Sequence, residues 1–156
     1  MEKIRIDFIT DKKLKSKIVN EVLNDLPEWF GIEEALLNYV NEAEQLPLWA
    51  AITEGEVIGF IDLKATSEDT AEISCMGIKR QHHRQGIGKI LFSSLENYAK
   101  ENYSYLQVKT VNEGTTPGYD KTIQYYLSCG FSKLEVFPTL WDERNPCLIL
   151  VKKIGG

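Results

Sequence analysis

The stretch Ile73–Leu95, ISCMGIKRQHHRQGIGKILFSSL, constrains the fold more than any other part of this chain. An apolar run ending at Ile78 reads as a strand. The segment after it is cationic and holds two glycines, and from Ile87 onward apolar residues recur at helical spacing. Strand, glycine turn and helix in direct succession build an anion site. Gly86 and Gly88 let the backbone approach a ligand without a Cβ in the way, and the first N–H groups of the helix face the anion. Lys79, Arg80, Arg84 and Lys89 fall within eleven residues that contain no Asp or Glu, in a chain of net charge −5. A positive island in an acidic chain predicts an anionic ligand and argues against a nucleic-acid face.

Spacing separates the kinds of glycine turn. A P-loop needs G-x-x-x-x-G-K-[ST], but Ile90 stands at the Ser/Thr position and His83 at the first glycine. The dinucleotide fingerprint G-x-G-x-x-G/A accommodates Gly86 and Gly88 but meets Leu91 at its third small position, and repeated βαβ units are lacking. His83-Arg84-Gln85-Gly86-Ile87-Gly88 resembles the coenzyme A loop of the GNAT superfamily of acyltransferases, [QR]-x-x-G-x-[GA], at every position except the first. Downstream, Tyr125-Tyr126-Leu127-Ser128-Cys129-Gly130-Phe131 is similar to the second marker of that superfamily. Its physical logic stands apart from the name: Ile123 and Leu127 lie on one helical face, Gly130 stops the helix at C′, and Phe131 opens the next strand. Ala71-Glu72-Ile73 resembles the stretch in which histone-type members carry a base glutamate. The likeness spans about Trp49 to Lys152, leaving residues 1–48 as the variable, acceptor-side part.

With 156 residues the chain is expected to be one domain, residues 1–156, able to bury a core without disulfides or metal. Cys75, Cys129 and Cys147 are odd in number and form no C-x-x-C pair, which favours a reducing compartment over a disulfide framework or zinc site. The start, MEKIRIDFIT, has no apolar signal region, and no later run approaches a membrane span, so a cytoplasmic protein without membrane or nucleic-acid partners is expected.

Ile4, Ile6 and Phe8 alternate as in a strand. Thr10 or Asp11 can cap a helix with the stripe Leu14, Ile18, Val22 and Leu26, and Ile32, Leu36, Tyr39, Val40 and Ala43 form a second helix across the connector Pro27–Gly31. Strands are predicted at Leu48–Thr53, Val57–Leu63 and Ala71–Ile78. A helix then ends near Lys100, followed by a strand at Tyr105–Val111, a helix at Tyr119–Ser128, and strands at Phe131–Phe137 and Cys147–Lys152. The order β-α-α-β-β-β-α-β-α-β-β describes a mixed-sheet α/β domain of the α+β type, which is the order the resemblance implies.

The resemblance implies an N-acetyltransferase that moves an acetyl group from acetyl-CoA directly to a primary amine, without a metal. Met76, Gly77 and Ile78 would offer strand backbone to the pantetheine arm; the alternative for Gly77 is relief of packing on a buried strand. His83, Arg84, Gln85, Gly86, Ile87, Gly88 and Lys89 would hold the pyrophosphate. Tyr126 would be the general acid that protonates the leaving thiolate, the alternative being a core tyrosine, and Tyr125 reads as packing. Glu72 would be the general base, against the alternative of a solvated glutamate. Trp29, Phe30 and Trp141 would line the acceptor entrance, with Asp142 and Glu143 attracting a cationic amine; the alternative is a core cap or a homodimer contact. Tyr119 and Thr122 depart from the Asn and Ala that many members carry. The alternative function is a catalytically silent acyl-CoA-binding sensor or regulatory domain, against which the retained Tyr126 speaks.

Overall fold

The computed structural model describes residues 3–114 and 117–155. In chain order these form β1 (Arg5–Ile9), α1 (Lys12–Asn24), α2 (Pro27–Phe30), α3 (Glu33–Ala43), β2 (Leu48–Thr53), β3 (Glu56–Ala65), β4 (Thr70–Ile78), a 3₁₀ turn (Arg80–His82), α4 (Ile87–Ala99), β5 (Tyr105–Val111), α5 (Pro117–Ser128), β6 (Ser132–Asp142) and β7 (Asn145–Lys153). The strands make one mixed sheet in the order β1-β2-β3-β4-β5-β7-β6. Pairing is parallel between β4 and β5 and antiparallel for β1–β2, β2–β3, β5–β7 and β6–β7. The expected element order holds, with one addition: the connector at Pro27 holds a short helix, α2, because proline at the first helical position suits a helix start. By contact density the chain forms two compact units, Met1–Lys64 with Ile73–Tyr98, and Ala65–Glu72 with Ala99–Gly156.

In the first unit Asp11 caps α1, accepting the Leu14 N–H at 2.9 Å. The buried stripe of α1 is Lys15, Ile18, Val19, Val22 and Leu23, whereas Leu14, expected in the core, is 42% exposed. Ile18, Val22 and Leu26 of the stripe read in the sequence are buried as expected, and Lys15 takes the place expected for Leu14. Lys15 tolerates this because its aliphatic stem lies along the core while its Nζ donates to the Leu46 carbonyl at 2.8 Å. Burial lowers the pKa of that amine, with Lys12 acting in the same direction. The core joins α1 and α3 to the face of the sheet carrying Leu48, Ala50, Phe60 and Cys75.

In the second unit β5 and β7 bury Leu106, Val108, Leu148 and Leu150, and α5 contributes Ile123 and Tyr126. β6 is exposed along nearly its whole length. It also runs further than expected, so Trp141 stands in a strand and not in a loop. Among the described residues no helix is long and apolar enough to cross a membrane.

Candidate active site

The glycine turn has the backbone its sequence calls for. Arg84 has φ 65° and Gly86 φ +76°, so two left-handed residues bracket Gln85 immediately before α4 begins at Ile87. Such alternation turns successive N–H groups toward one side and forms an anion-binding concavity at a helix start. A Cβ built on Gly86 meets nothing within 4 Å. Glycine is favoured there by φ, and the space in front of the turn is open. His83, at the departed Gln/Arg position, engages the Ile78 carbonyl through Nε2 at 2.6 Å and ties the turn to the end of β4. Ile87, Leu91 and Leu95 anchor α4 in the core.

The positive island is smaller than its sequence. Lys79 pairs with Glu21 at 2.5 Å and Glu56 at 3.3 Å. Burial works against its charge, but the two carboxylate hydrogen bonds outweigh it and the pKa rises. Arg80 pairs with Glu28 through its guanidinium, and its N–H goes to Asp25 Oδ2 at 2.7 Å. Two of the four cations are thus neutralised from α1 and α2, around an open cleft of about 630 Å³. Arg84 and Lys89 are exposed, and among the described residues no carboxylate lies within 4 Å of either. The pairing acids stand at Glu21, Asp25 and Glu28, three and four residues apart, a spacing that could have signalled them.

β4 approaches the turn under tight packing. A Cβ on Gly77 would lie 3.1 Å from Val22 Cγ1 and 3.2 Å from Leu26 Cδ1, and a Cβ on Gly59 only 3.0 Å from the Gly77 carbonyl oxygen. Val22 on α1 and Leu26 just beyond it thus press on Gly77, the contact on which its alternative reading rests. Pairing of β4 with β5 runs from Thr70↔Tyr105 to Glu72↔Gln107, a register that does not include Met76, Gly77 or Ile78.

Tyr126 is held by the end of α5. The Phe131 N–H donates to the Tyr126 carbonyl and the Gly130 N–H to that of Leu127, each at 3.1 Å, while Gly130 takes φ +99°. This is a Schellman stop, and its hydrophobic clasp is the Phe131 ring against the Tyr126 ring, centroids 5.5 Å apart. Tyr126 is buried and also meets Tyr125 edge-on at 5.0 Å. Burial drives the Tyr125 phenol well above the ordinary tyrosine range, which suits a packing role. Glu72 is half-buried: its Oε1 accepts from Gln107 Nε2 at 2.8 Å and lies 3.3 Å from Lys109 Nζ. It is not the solvated side chain of its alternative reading.

The acceptor-side residues fare unevenly. Phe30 is half-buried, packs against the core of the first unit and meets Tyr39 edge-on at 5.9 Å, as a core cap does. The Trp29 side chain lies outside the described residues. Trp141 is exposed on β6. Asp142 accepts the N–H groups of Arg144 (2.8 Å) and Asn145 (3.0 Å) and so shapes the β6–β7 turn. The Asn145 hydrogen bonds hold its pKa down, and a carboxylate engaged in this way is a turn former. Burial pushes the thiol pKa of Cys75 up, which removes it as a nucleophile. Among the described residues no group of three His, Cys, Asp or Glu side chains could hold a metal ion.

The sequence profile of the acetyltransferase (GNAT) family matches residues 16–131. The chain belongs to that family. It is, accordingly, an acetyltransferase. No curated protein sequence matches it. Solved structures show the GNAT fold across nearly its whole length. A GNAT family acetyltransferase from Elizabethkingia anophelis, with acetyl-CoA bound, is 20% identical, with a TM-score of 0.70 over 96% of this chain and 97% of that one. The ribosomal-protein-S18-alanine N-acetyltransferase from Escherichia coli is 15% identical, TM-score 0.76, over 99% and 96%. An aminoglycoside 6'-N-acetyltransferase complexed with coenzyme A is 16% identical, TM-score 0.75, over 96% and 97%. One residue of this GNAT chain escaped the sequence reading. Asp62, on β3, is 1% exposed and accepts the Cys75 N–H at 2.9 Å. Its signal was an acid inside the apolar run GFIDL.

Proposed function

We propose that this chain transfers an acetyl group from acetyl-CoA to a primary amine by direct attack, as one acyltransferase domain in a reducing compartment such as the cytoplasm. The observation that carries it is the turn at Arg84–Gly88, a left-handed pair in front of a helix start, beside which Arg84 and Lys89 have no carboxylate partner among the described residues. An anion such as a pyrophosphate suits that turn, and acetyl-CoA and coenzyme A are the ligands of the two relatives above. Met76, Gly77 and Ile78 are the proposed backbone partners of the pantetheine arm.

The chemistry then needs few groups. The amine nitrogen attacks the thioester carbonyl carbon and forms a tetrahedral intermediate. Its collapse breaks the carbon–sulfur bond, and the thiolate takes the Tyr126 proton, which solvent restores. Glu72 is the proposed base that removes a proton from the acceptor, oriented by Gln107 and Lys109. The same two contacts favour a second reading, a structural ion pair within the β4–β5 register. Trp29 and Phe30, and separately Trp141, are the proposed acceptor contacts; for Phe30 this competes with its core packing.

The test is calorimetry with acetyl-CoA on Gly86→Leu. A side chain there points into open space but pays for φ +76°, so the variant should fold with a small loss of stability, about 1 kcal/mol, and bind acetyl-CoA at least about tenfold more weakly. A folded Gly86→Leu protein with unchanged affinity would remove the turn from the site.

A further inference from the structure

We propose that Asp62 is a positioning residue for the acetyl-CoA site: its buried carboxyl accepts the Cys75 N–H and so fixes the course of β4 into Met76–Ile78. The inference rests on the reading that those three residues meet the pantetheine arm.

The place of Asp62 calls for an apolar residue. It lies opposite Leu48 in the β2–β3 register, two residues beyond Phe60, on the sheet face covered by α1 and α3. Burying a carboxyl there is costly unless it does something in return. An ion pair is not what it does. Among the described residues no cation lies within 4 Å of it; the Lys15 ammonium goes to the Leu46 carbonyl and that of Lys64 to Glu42. Burial, assisted by Glu42 and opposed by Lys15, Lys64 and the Cys75 N–H, moves its pKa up to about 8. Near neutrality the group is therefore largely an uncharged acid, a state in which asparagine is a close stand-in.

What Asp62 does is accept one backbone N–H. This bond falls at the residue immediately before Met76. From there β4 has little freedom: Gly77 is pressed against Val22 and Leu26, and the Ile78 carbonyl is engaged by His83. Without the Asp62 oxygen the Cys75 N–H loses this buried hydrogen bond, and β4 would shift to recover it, carrying Met76–Ile78 with it.

The test compares wild type, Asp62→Asn and Asp62→Val for acetyl-CoA affinity, KM and kcat, with amide hydrogen exchange at Cys75. Asparagine keeps the acceptor oxygen, so affinity and KM should stay within about threefold and the Cys75 amide should remain protected. Valine removes this acceptor and should raise KM for acetyl-CoA by about tenfold, in the range of a lost buried hydrogen bond. A purely structural role would lower the stability of a folded Asp62→Val protein and leave KM unchanged, which overturns the proposal. If Asp62→Val does not fold, the other two proteins decide. A tenfold loss of affinity in Asp62→Asn with Cys75 still protected, or a wild-type Cys75 amide exchanging as fast as the exposed turn at Glu54–Gly55, contradicts it. Failure of wild type to bind acetyl-CoA at all would instead bring down the functional reading first, and is seen before any variant is made.

Discussion

Tyr126 owes its place to three consecutive backbone decisions at the end of α5. Its carbonyl accepts the Phe131 N–H, its ring takes the Phe131 ring, and Gly130 supplies the left-handed turn that lets both happen. The marker Tyr-x-x-x-Gly-Phe is thus a helix stop in this chain. Tyr126→Phe removes one oxygen and leaves this stop intact. We expect kcat to fall by about 10²-fold with KM for acetyl-CoA within a few-fold, measured under conditions where chemistry limits the rate. An unchanged kcat would leave the tyrosine as packing. At this scale sequence reading found the residues whose role is written in local backbone, Gly86 and Gly130, through turn and stop chemistry. It missed the partners of Lys79 and Arg80, because Glu21, Asp25, Glu28 and Glu56 lie far away in the chain. It missed Asp62 because a buried acid is explained only by the N–H it meets.

Among the elements β4 carries the most constraint. Its alternate residues Ala71, Ile73, Cys75 and Gly77 are all buried, and a Cβ on Gly77 would crowd the side chains of Val22 and Leu26. Gly77→Ala should therefore destabilise the protein by about 1–3 kcal/mol through overpacking against Val22 and Leu26. Urea unfolding would show it, and a variant as stable as wild type would mean that α1 yields more easily than this packing implies. The succession of elements was legible because each is local: alternation for strands, the Asp11 cap, glycine stops. The exchange of Leu14 for Lys15 at the start of the α1 stripe was not. Leu14 and Lys15 compete for one place, and Lys15 wins it because the Leu46 carbonyl, more than thirty residues away, receives its ammonium. The length of β6 was hidden for a similar reason, since Pro138 and the turn-forming Asp142 read locally as loop.

For the whole molecule, the net charge of −5 and the glycine turn are consistent once the internal pairs are counted. Carboxylates from α1, α2 and β3 neutralise Lys79 and Arg80, and among the described residues Arg84 and Lys89 have no such partner, which leaves their charge for the anionic ligand proposed at the turn. A site so modest in charge fits one polyphosphate better than a long polyanion. The central claim is acetyl transfer to an amine, and one assay addresses it directly. The protein is incubated with acetyl-CoA and a panel of aminoglycosides, polyamines, amino acids and peptides with free α-amines, while free thiol and acetylated amine are both quantified. The account predicts that at least one amine releases thiol and gains acetyl in equal amounts, at a rate that falls about 10²-fold in Tyr126→Phe. Acetyl-CoA that binds yet stays intact with every amine offered would contradict it and make the chain a binder.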